Sequence, residues 1–411
     1  MIEQYIRLGT HAEAEYLRKL PTAFDGLVLN ANLVFGTPAA SVSLVYALNK
    51  PYYIDPFTHA FASPPRFLQS RQKDKNAKVA PKRTFVGLAS AYFGNSEFVG
   101  RDALVPAQID VDDLAARVIS FQTSWYEEEV KNDQFIVDSG LLRPSRILAP
   151  YFPVRSDFQW LDVNLRALSA ALKLVPTAVA VVPISMAVLR DYREKIVNDY
   201  AATGAKSVVL WIENLDEDRA DVLDLTSYCD LLSQFRAKAI TVANAFGGFF
   251  SCIAQHSGLG AFAHGLVYGE NKGFSPIVGG GQPPPRYYFR PAHITISVPE
   301  AELLLANISA ESYIAQVCDC AICVRLMQSG DVASGLAKFA EVDVENKYTP
   351  AAYALSRFHF LLVRRKEVRQ FGSLDAQAQR AALYADRTFC LSIGAIDYAV
   401  HLHRWAMLIP S

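Results

Sequence analysis

Three cysteines fall within six residues, in the run Cys318-Asp319-Cys320-Ala321-Ile322-Cys323. Thiolates at this density offer soft donors from a single turn, and zinc asks for four such donors in a tetrahedron. The fourth must come from elsewhere in the chain. His359 is the best candidate, on a helix predicted over Pro350–Gln370; His401, His403 and Cys390 are alternatives. Four protein ligands would close the shell, so the Zn2+ would be structural rather than catalytic. An iron–sulfur cluster would ask for a fourth cysteine nearby in sequence, and there is none. The competing reading is three buried or redox cysteines that bind nothing. The remaining cysteines, Cys229, Cys252 and Cys390, are scattered through apolar segments and read as small core residues.

Other chemistry-bearing residues stand at the ends of apolar runs. Asp55 closes Tyr52–Ile54, and Glu213, followed by Asp216, closes Ser207–Ile212. His264, Tyr268 and Glu270 stand at or just beyond the end of a later run. In a barrel these positions are the default catalytic candidates, so Asp55, Glu213 and His264 are read as catalytic. Each also has a plainer reading. Asp-Pro is a common turn opening, acids such as Asp216 and Asp218 suit a helix start, and a histidine between apolar residues is often a satisfied core group. Asn30, Asn32 and Asn244 end strands too, where an amide could read a base edge or cap the next helix.

Basic residues cluster twice. The stretch Arg66–Arg83 includes Arg71 and Lys73, and the predicted helix that carries His359 includes Arg357, Arg364, Arg365, Lys366 and Arg369. Either could track a phosphate backbone, although solvated lysine-rich loops are common. The net charge is only −1, so any contact with nucleic acid must come from such local patches.

These residues need a scaffold, and the first two-thirds of the chain supplies the pattern for one. Candidate strands are Leu27–Val34, Tyr52–Ile54, Thr84–Leu88, Ile147–Tyr151, Ala178–Ile184, Ser207–Ile212, Ala239–Ala243 and Ala261–Val267. Several are rich in Val and Ile with little alternation, as suits strands buried on both faces of a parallel sheet. Amphipathic stretches lie between them: Val111–Lys131, Leu161–Leu174, Met186–Ala202, Asp218–Arg236 and Phe249–Ser257. Alternation of this kind over roughly 270 residues predicts a (β/α)8 TIM-like barrel. A doubly wound sheet is the alternative, weakened by the lack of a Gly-rich fingerprint after the first strand. Residues 1–297 are read as the barrel and 298–411 as a helical zinc-binding subdomain, with helices over Val298–Asn307, Ser329–Phe339, Pro350–Gln370 and Leu374–Leu391. Two long interruptions, Ser63–Arg83 and Tyr268–Arg290, follow predicted strands and so fall at the barrel mouth. The second holds a triple glycine, a triple proline and the pair Tyr287–Tyr288, and is read as a lid.

A barrel followed by Cys-x-Cys-x2-Cys and a later helical His resembles the tRNA-guanine transglycosylase family, including relatives that insert 7-deazaguanine into DNA. The resemblance covers the zinc cluster closely and the rest of the architecture loosely. It implies a base-exchange site in the barrel and a Cys3His zinc subdomain that supports nucleic-acid binding. The family's early Asp-Ser-Gly-Gly-Phe motif has a faint counterpart in Ile54-Asp55-Pro56-Phe57-Thr58. Its nucleophilic Asp, in a Phe-Asp-Cys context, falls at Ala263 of Gly260-Ala261-Phe262-Ala263-His264. Base exchange needs one carboxylate to attack C1′ and another group to move the purine's proton, roles open to Asp55 and Glu213. Asn30, Asn244, Tyr268 and Tyr287 are the candidate base contacts; Arg71, Lys73, Arg364, Arg365 and Lys366 are the candidate contacts to tRNA or DNA. A non-catalytic nucleic-acid-binding subunit of the same fold, and a barrel hydrolase or lyase acting on a small molecule, are the competing functions.

Composition bounds the rest. Of 411 residues, 51% are apolar and 20% charged, a globular balance rather than a disordered one. The N-terminus lacks the pattern of a secretory signal. The most apolar stretch, Val175–Leu189, is too short to span a bilayer and holds Pro176 and Pro183. A cytoplasmic protein without a membrane partner is expected; homo- or hetero-oligomers stay open.

Overall fold

A computed structural model describes residues 2–73, 79–131, 143–266, 272–275, 283–328 and 331–410, with the side chains of 71–73 and 79 left aside. Strands β1 (Glu3–Arg7), β2 (Gly26–Asn30) and β3 (Tyr52–Asp55) are followed by a small antiparallel pair, β4 (Gln69–Lys73) and β5 (Val79–Pro81). Then come β6 (Ala180–Ile184), β7 (Ser207–Ile212), β8 (Thr241–Asn244) and β9 (Leu259–His264), and lastly the hairpin β10 (Arg286–Phe289) and β11 (Ile294–Ser297). Seven of these form one parallel sheet in the order β3-β2-β1-β9-β8-β7-β6. The Val- and Ile-rich runs of β6 and β7 are buried on both faces, which is why they read as continuous apolar segments.

The sheet curls until its edges meet a shared segment. Ser145 N donates to Tyr52 O at 2.7 Å, Val179 N to Ile147 O at 2.8 Å and Ala149 N to Val179 O at 2.9 Å. The expected strand Ile147–Tyr151 makes only isolated bridges here. Pro144, Pro150 and Pro153 flank or interrupt it, and proline has no N–H to give a ladder. The fold is therefore α/β with a curled, TIM-like sheet of seven regular strands and an irregular stretch in the eighth position.

Alternate residues of each strand fill the interior. Tyr5, Tyr53, Tyr151 and Trp211 pack there against Ala243, Ala245, Ala261 and Ala263, large side chains facing small ones. The opposite parity packs outward on the helices Val111–Val130, Leu161–Leu174, Met186–Ala202 and Val222–Ala237. Asp110 caps the first of these, accepting from Asp113 N at 3.1 Å.

Three expectations need correction. Thr84–Leu88 is not a strand but part of a helix, Arg83–Phe93, whose Phe85, Leu88, Ala89 and Tyr92 are buried at helical spacing and which ends at Gly94 with φ 66°. The first strand is Glu3–Arg7, a five-residue run too short and mixed to stand out by periodicity. Tyr287 and Tyr288 belong to β10 and not to a lid. That hairpin lies under the helix Pro350–Phe371, where Ser356 Oγ donates to Arg286 O at 2.5 Å. One hydrophobic cluster runs from Val208 and Phe262 through Tyr288 to Cys323 and Leu402, so the barrel and the C-terminal helices share a core.

Candidate functional site

The cysteine run sits where a π-helical turn, Tyr313–Val317, gives way to extended backbone at Cys318, and Cys323 lies in the helix Ala321–Gln328. His359 reaches the cluster from the middle of Pro350–Phe371. Its Nδ1 lies 3.3 Å from Cys320 Sγ, 3.4 Å from Cys323 Sγ and 3.8 Å from Cys318 Sγ, and all four donor atoms fall within 4.8 Å of one another. All four residues are buried. This Cys3His group could hold a metal ion. The other nitrogen, Nε2, donates to Tyr288 O at 2.8 Å, which fixes the ring and leaves Nδ1 free to ligate. Tyr287 stacks on the imidazole at 4.7 Å and hydrogen-bonds Tyr313, whose hydroxyl also donates to Cys323 Sγ at 3.2 Å. Tyr287 is thus a wall of the Cys3His group and is not free to stack on a base. Of the alternative ligands, His401 is committed to Ala292 O at 2.8 Å.

At the C-terminal end of the strands, Asp55 is buried and tightly held. Arg7 Nη1 donates to its Oδ2 at 2.8 Å; Tyr151 OH and Phe57 N donate to Oδ1 at 2.6 and 3.0 Å. Burial pushes this carboxyl up, but Arg7, His59 and the Tyr151 hydroxyl outweigh it and hold it below the usual carboxylate range. Phe57 takes φ 60°, a left-handed conformation costly for an aromatic residue, and so turns the chain sharply after Pro56. His59, Tyr151 and Trp211 pack beside the carboxylate, and Phe274, from the segment after β9, seals against Trp211 at 5.2 Å. Lys272 O of the same segment accepts from Trp211 Nε1 at 2.8 Å. The space left next to Asp55 is about 10 Å3.

Glu213 follows Trp211 by two residues, so strand alternation gives it the same inward parity at the same end as Asp55. No hydrogen bond joins the two; Glu213 pairs with Arg155 at 3.1 Å. His264 has the other parity. It faces outward against Phe360, with Nδ1 donating to Gly265 O at 2.7 Å and Nε2 accepting from Gln4 Nε2 at 2.9 Å. Asn30 caps the next helix through Asn32 N at 2.8 Å, and Asn244 accepts from Phe246 N at 3.2 Å. Tyr268 and Glu270 fall outside the described residues, as do the side chains of Arg71 and Lys73. Arg7, His59 and Phe274 escape a reading of strand ends, Arg7 because it ends the strand that periodicity misses and the others because they reach the mouth from segments outside the sheet; Tyr151 closes the expected strand Ile147–Tyr151 but carries no charge to single it out.

Arg364, Arg365 and Lys366, the expected nucleic-acid contacts on this helix, each have a partner within the fold. Arg364 is buried over the Tyr288 ring. Arg365 forms a two-pronged bridge to Asp25, at 2.5 and 2.8 Å, and Lys366 pairs with Asp319. Arg365 instead ties the helix to the barrel. Arg365→Met should cost about 1–3 kcal/mol, the range for a charge-assisted hydrogen bond lost from a partly buried pair, and leave nucleic-acid affinity unchanged. Urea unfolding beside a filter-binding assay checks this; an affinity loss at unchanged stability would reverse the assignment.

Burial drives three histidines to the neutral form: His59 and His401 are pushed down to about 4, and His264 to about 3. The unfolded chain takes up these protons near pH 6.5, so below that pH it binds more protons than the fold does. Stability should therefore fall as pH drops from about 6.5 toward 4, by roughly 1.4 kcal/mol per pH unit for each histidine. Burial would also strip His293, but Glu367 and Asp386 outweigh it and raise its pKa. Its contribution is already complete below pH 6.5 and is lost only as pH rises, so it offers no compensation on the acid side. Urea midpoints measured near pH 7 and near pH 5 should differ clearly, and His401→Asn should flatten the slope. Equal midpoints would refute the assignment.

No protein-family model and no curated protein matches the chain. Among solved structures, the xylanase XynB from Paenibacillus barcinonensis is similar at 8% identity and a TM-score of 0.37, over 65% of this chain and 84% of that one. The intracellular xylanase TsXylA from Thermoanaerobacterium saccharolyticum aligns at 10% identity and 0.32, over 64% and 85%. A nitroalkane oxidase from Streptomyces ansochromogenes aligns at 13% and 0.27, over 89% and 96%. Likeness at this level carries no inference about activity.

Proposed function

We propose that the chain is a base-exchange enzyme of the transglycosylase type, acting on a guanine or 7-deazaguanine in tRNA or DNA. The observation that carries the reading is a buried, ionised Asp55 at the C-terminal end of a curled parallel sheet, walled by aromatic rings. The Cys3His group behind the last strands is its companion feature. Zinc suits that donor set: three thiolates and an imidazole would complete a tetrahedral shell with no open position, so the ion would hold the C-terminal helices rather than touch substrate.

Asp55, kept charged by Arg7, would act as the group that attacks or stabilises C1′ only after the Trp211–Phe274 contact opens, because the space now beside it, about 10 Å3, holds no base. Glu213, on the same rim, would shuttle the purine's proton. Attack by Asp55 on C1′ would break the C1′–N9 bond as the leaving purine takes a proton from Glu213; N9 of the incoming base would then attack C1′, give its proton to Glu213 and break the Asp55 ester. Nucleic acid would approach along the basic stretch that includes Arg66 and Arg83, both exposed and just beyond β3.

One observation favours the second reading, a binding subunit. Ala263, at the family's nucleophile position, is buried in the barrel interior and supplies no acid there. The test is incorporation of labelled guanine into unfractionated tRNA or into DNA by the purified, metal-loaded chain. Incorporation that Asp55→Asn lowers by about 100-fold or more supports the enzyme. Salt-sensitive binding without incorporation favours the subunit, and neither binding nor incorporation ends both.

A further inference from the structure

A surface helix ordinarily turns its charged residues to water. Met186–Ala202 does so, with Arg190, Asp191, Glu194 and Lys195 exposed. The C-terminal helices Ala376–Ser392 and Val400–Leu408 do not. The outer stripe of the first holds Ala381, Tyr384, Ala385, Thr388 and Leu391; that of the second holds Val400, His403 and Met407. No exposed residue of either helix is Asp, Glu, Lys or Arg. Their charges turn into the fold instead. Arg380 donates to Ile409 O and Pro410 O at 2.7 and 2.9 Å, Asp386 pairs with Arg290 and His293, and Arg404 donates to the carbonyls of Asp218 and Ala220 at 2.6 and 2.7 Å. Arg387 is half-buried at the flank.

The two stripes make one face. Arg380 reaches the chain just past the end of the second helix, and the Tyr384 ring meets His403 at 6.0 Å, so the helices lie side by side and antiparallel. Ile396, in the turn between them, extends the face. More than half of Val400, Met407 and Ile396 is open to solvent, at 54, 58 and 59%. Single exposed apolar residues are ordinary, but a contiguous patch marks an interaction site. By helix rise the stripe from Gln377 to Ser392 runs about 23 Å, and two packed helices are about 20 Å across. That footprint is on the order of what each partner gives to a specific interface, roughly 600–800 Å2 of accessible surface.

We propose that this face binds a second copy of the chain in a two-fold dimer, the helix Ala376–Ser392 crossing its equivalent. The stripe is its own complement. Ala381 and Leu391 are equally spaced about position 386, and so are Tyr384 and Thr388. Two antiparallel copies centred there set Leu391 against Ala381 and Tyr384 against Thr388, a large side chain over a small one on both sides of the axis. A partner recognised through charge would find none on the exposed stripe to pair with. The net charge of −1 leaves little repulsion between copies.

Sedimentation of the metal-loaded full chain over about a hundredfold range of concentration tests this, since mass action makes a dimer concentration-dependent. Wild type should move from one chain mass toward two. Ala385→Glu and Thr388→Lys each bring like charges together across the axis and should weaken self-association by about 10-fold or more. Mixed in equal amounts, the two variants should associate again, because the acid of one chain then lies beside the base of the other. Both positions are exposed and both replacements suit a helix, so metal content and the melting temperature of the monomer should hold. If either variant fails to fold, Val400→Glu on the second helix repeats the test. A wild-type chain that stays monomeric throughout, a dimer indifferent to both substitutions, or variants whose mixture stays monomeric would overturn the proposal; the first result would leave the face to a different partner.

Discussion

Replacing Cys320 with serine is expected to empty the metal centre and destabilise the chain by several kcal/mol, roughly 3 or more, since metal binding energy at a closed structural site is folding energy. The centre ties three segments together: the turn at Cys318, the helix Ala321–Gln328 and the helix Pro350–Phe371. Through His359 Nε2 and Tyr288 O it also fixes the β10–β11 hairpin. Serine offers a harder, less acidic donor, and three residual ligands cannot close the tetrahedron. The sulfurs are buried, so a metal-free cluster would leave them without the charge that compensates their thiolates. The measurements are metal content per chain by mass spectrometry and the melting temperature of wild type and variant, with and without a chelator. About one zinc per chain, lost in the variant together with several degrees of melting temperature, is the expected result. Wild-type protein that is metal-free and equally stable with the chelator would dispose of the site.

The Cys3His grouping was the most legible part of the chain, because most of its members are local. Three of the four lie within one turn of sequence, and the fourth is a histidine on a strongly patterned helix. The regular strands β6 and β7 were legible for a similar reason: burial on both faces leaves an unbroken apolar run. What could not be read depends on chain closure. The partner of Arg365, Asp25, is 340 positions away, so a cation that looked free on its helix is an anchor in the fold. Arg7 meets Asp55 only because β1 and β3 flank β2 in a curled sheet. Prolines at 144, 150 and 153 hid the irregular eighth position behind an apolar run. Thr84–Leu88 misled in the other direction, since aromatic and β-branched residues suit strands, yet tertiary burial at helical spacing decided the outcome.

Arg7→Met is expected to cost about 3–5 kcal/mol and to reverse the sign of one contribution to the pH dependence of stability. In the wild type the guanidinium is the main force that keeps the buried Asp55 carboxyl below its ordinary value. A group whose folded pKa is depressed contributes stability above its unfolded pKa, near 3.9, and that contribution is lost as pH falls through the folded value. Without Arg7, burial dominates and the carboxyl rises above its unfolded value. The contribution then has the opposite slope: present at acid pH and lost as pH rises. The variant should therefore lie closest to wild type near pH 4 and furthest from it near neutrality. Asp55→Asn removes the charge but keeps groups that can meet Tyr151 OH and Phe57 N, so Arg7→Met/Asp55→Asn should recover part of the loss, a coupling that a double-mutant cycle measures. Urea unfolding of the four proteins at both pH values provides the comparison. If the two single losses simply add, the ion pair is not what holds Asp55 in the mouth. If instead they couple strongly and Asp55→Asn still exchanges guanine at the wild-type rate, then Asp55 braces the barrel mouth and the reacting carboxylate must be sought elsewhere, with Glu213 the first to test.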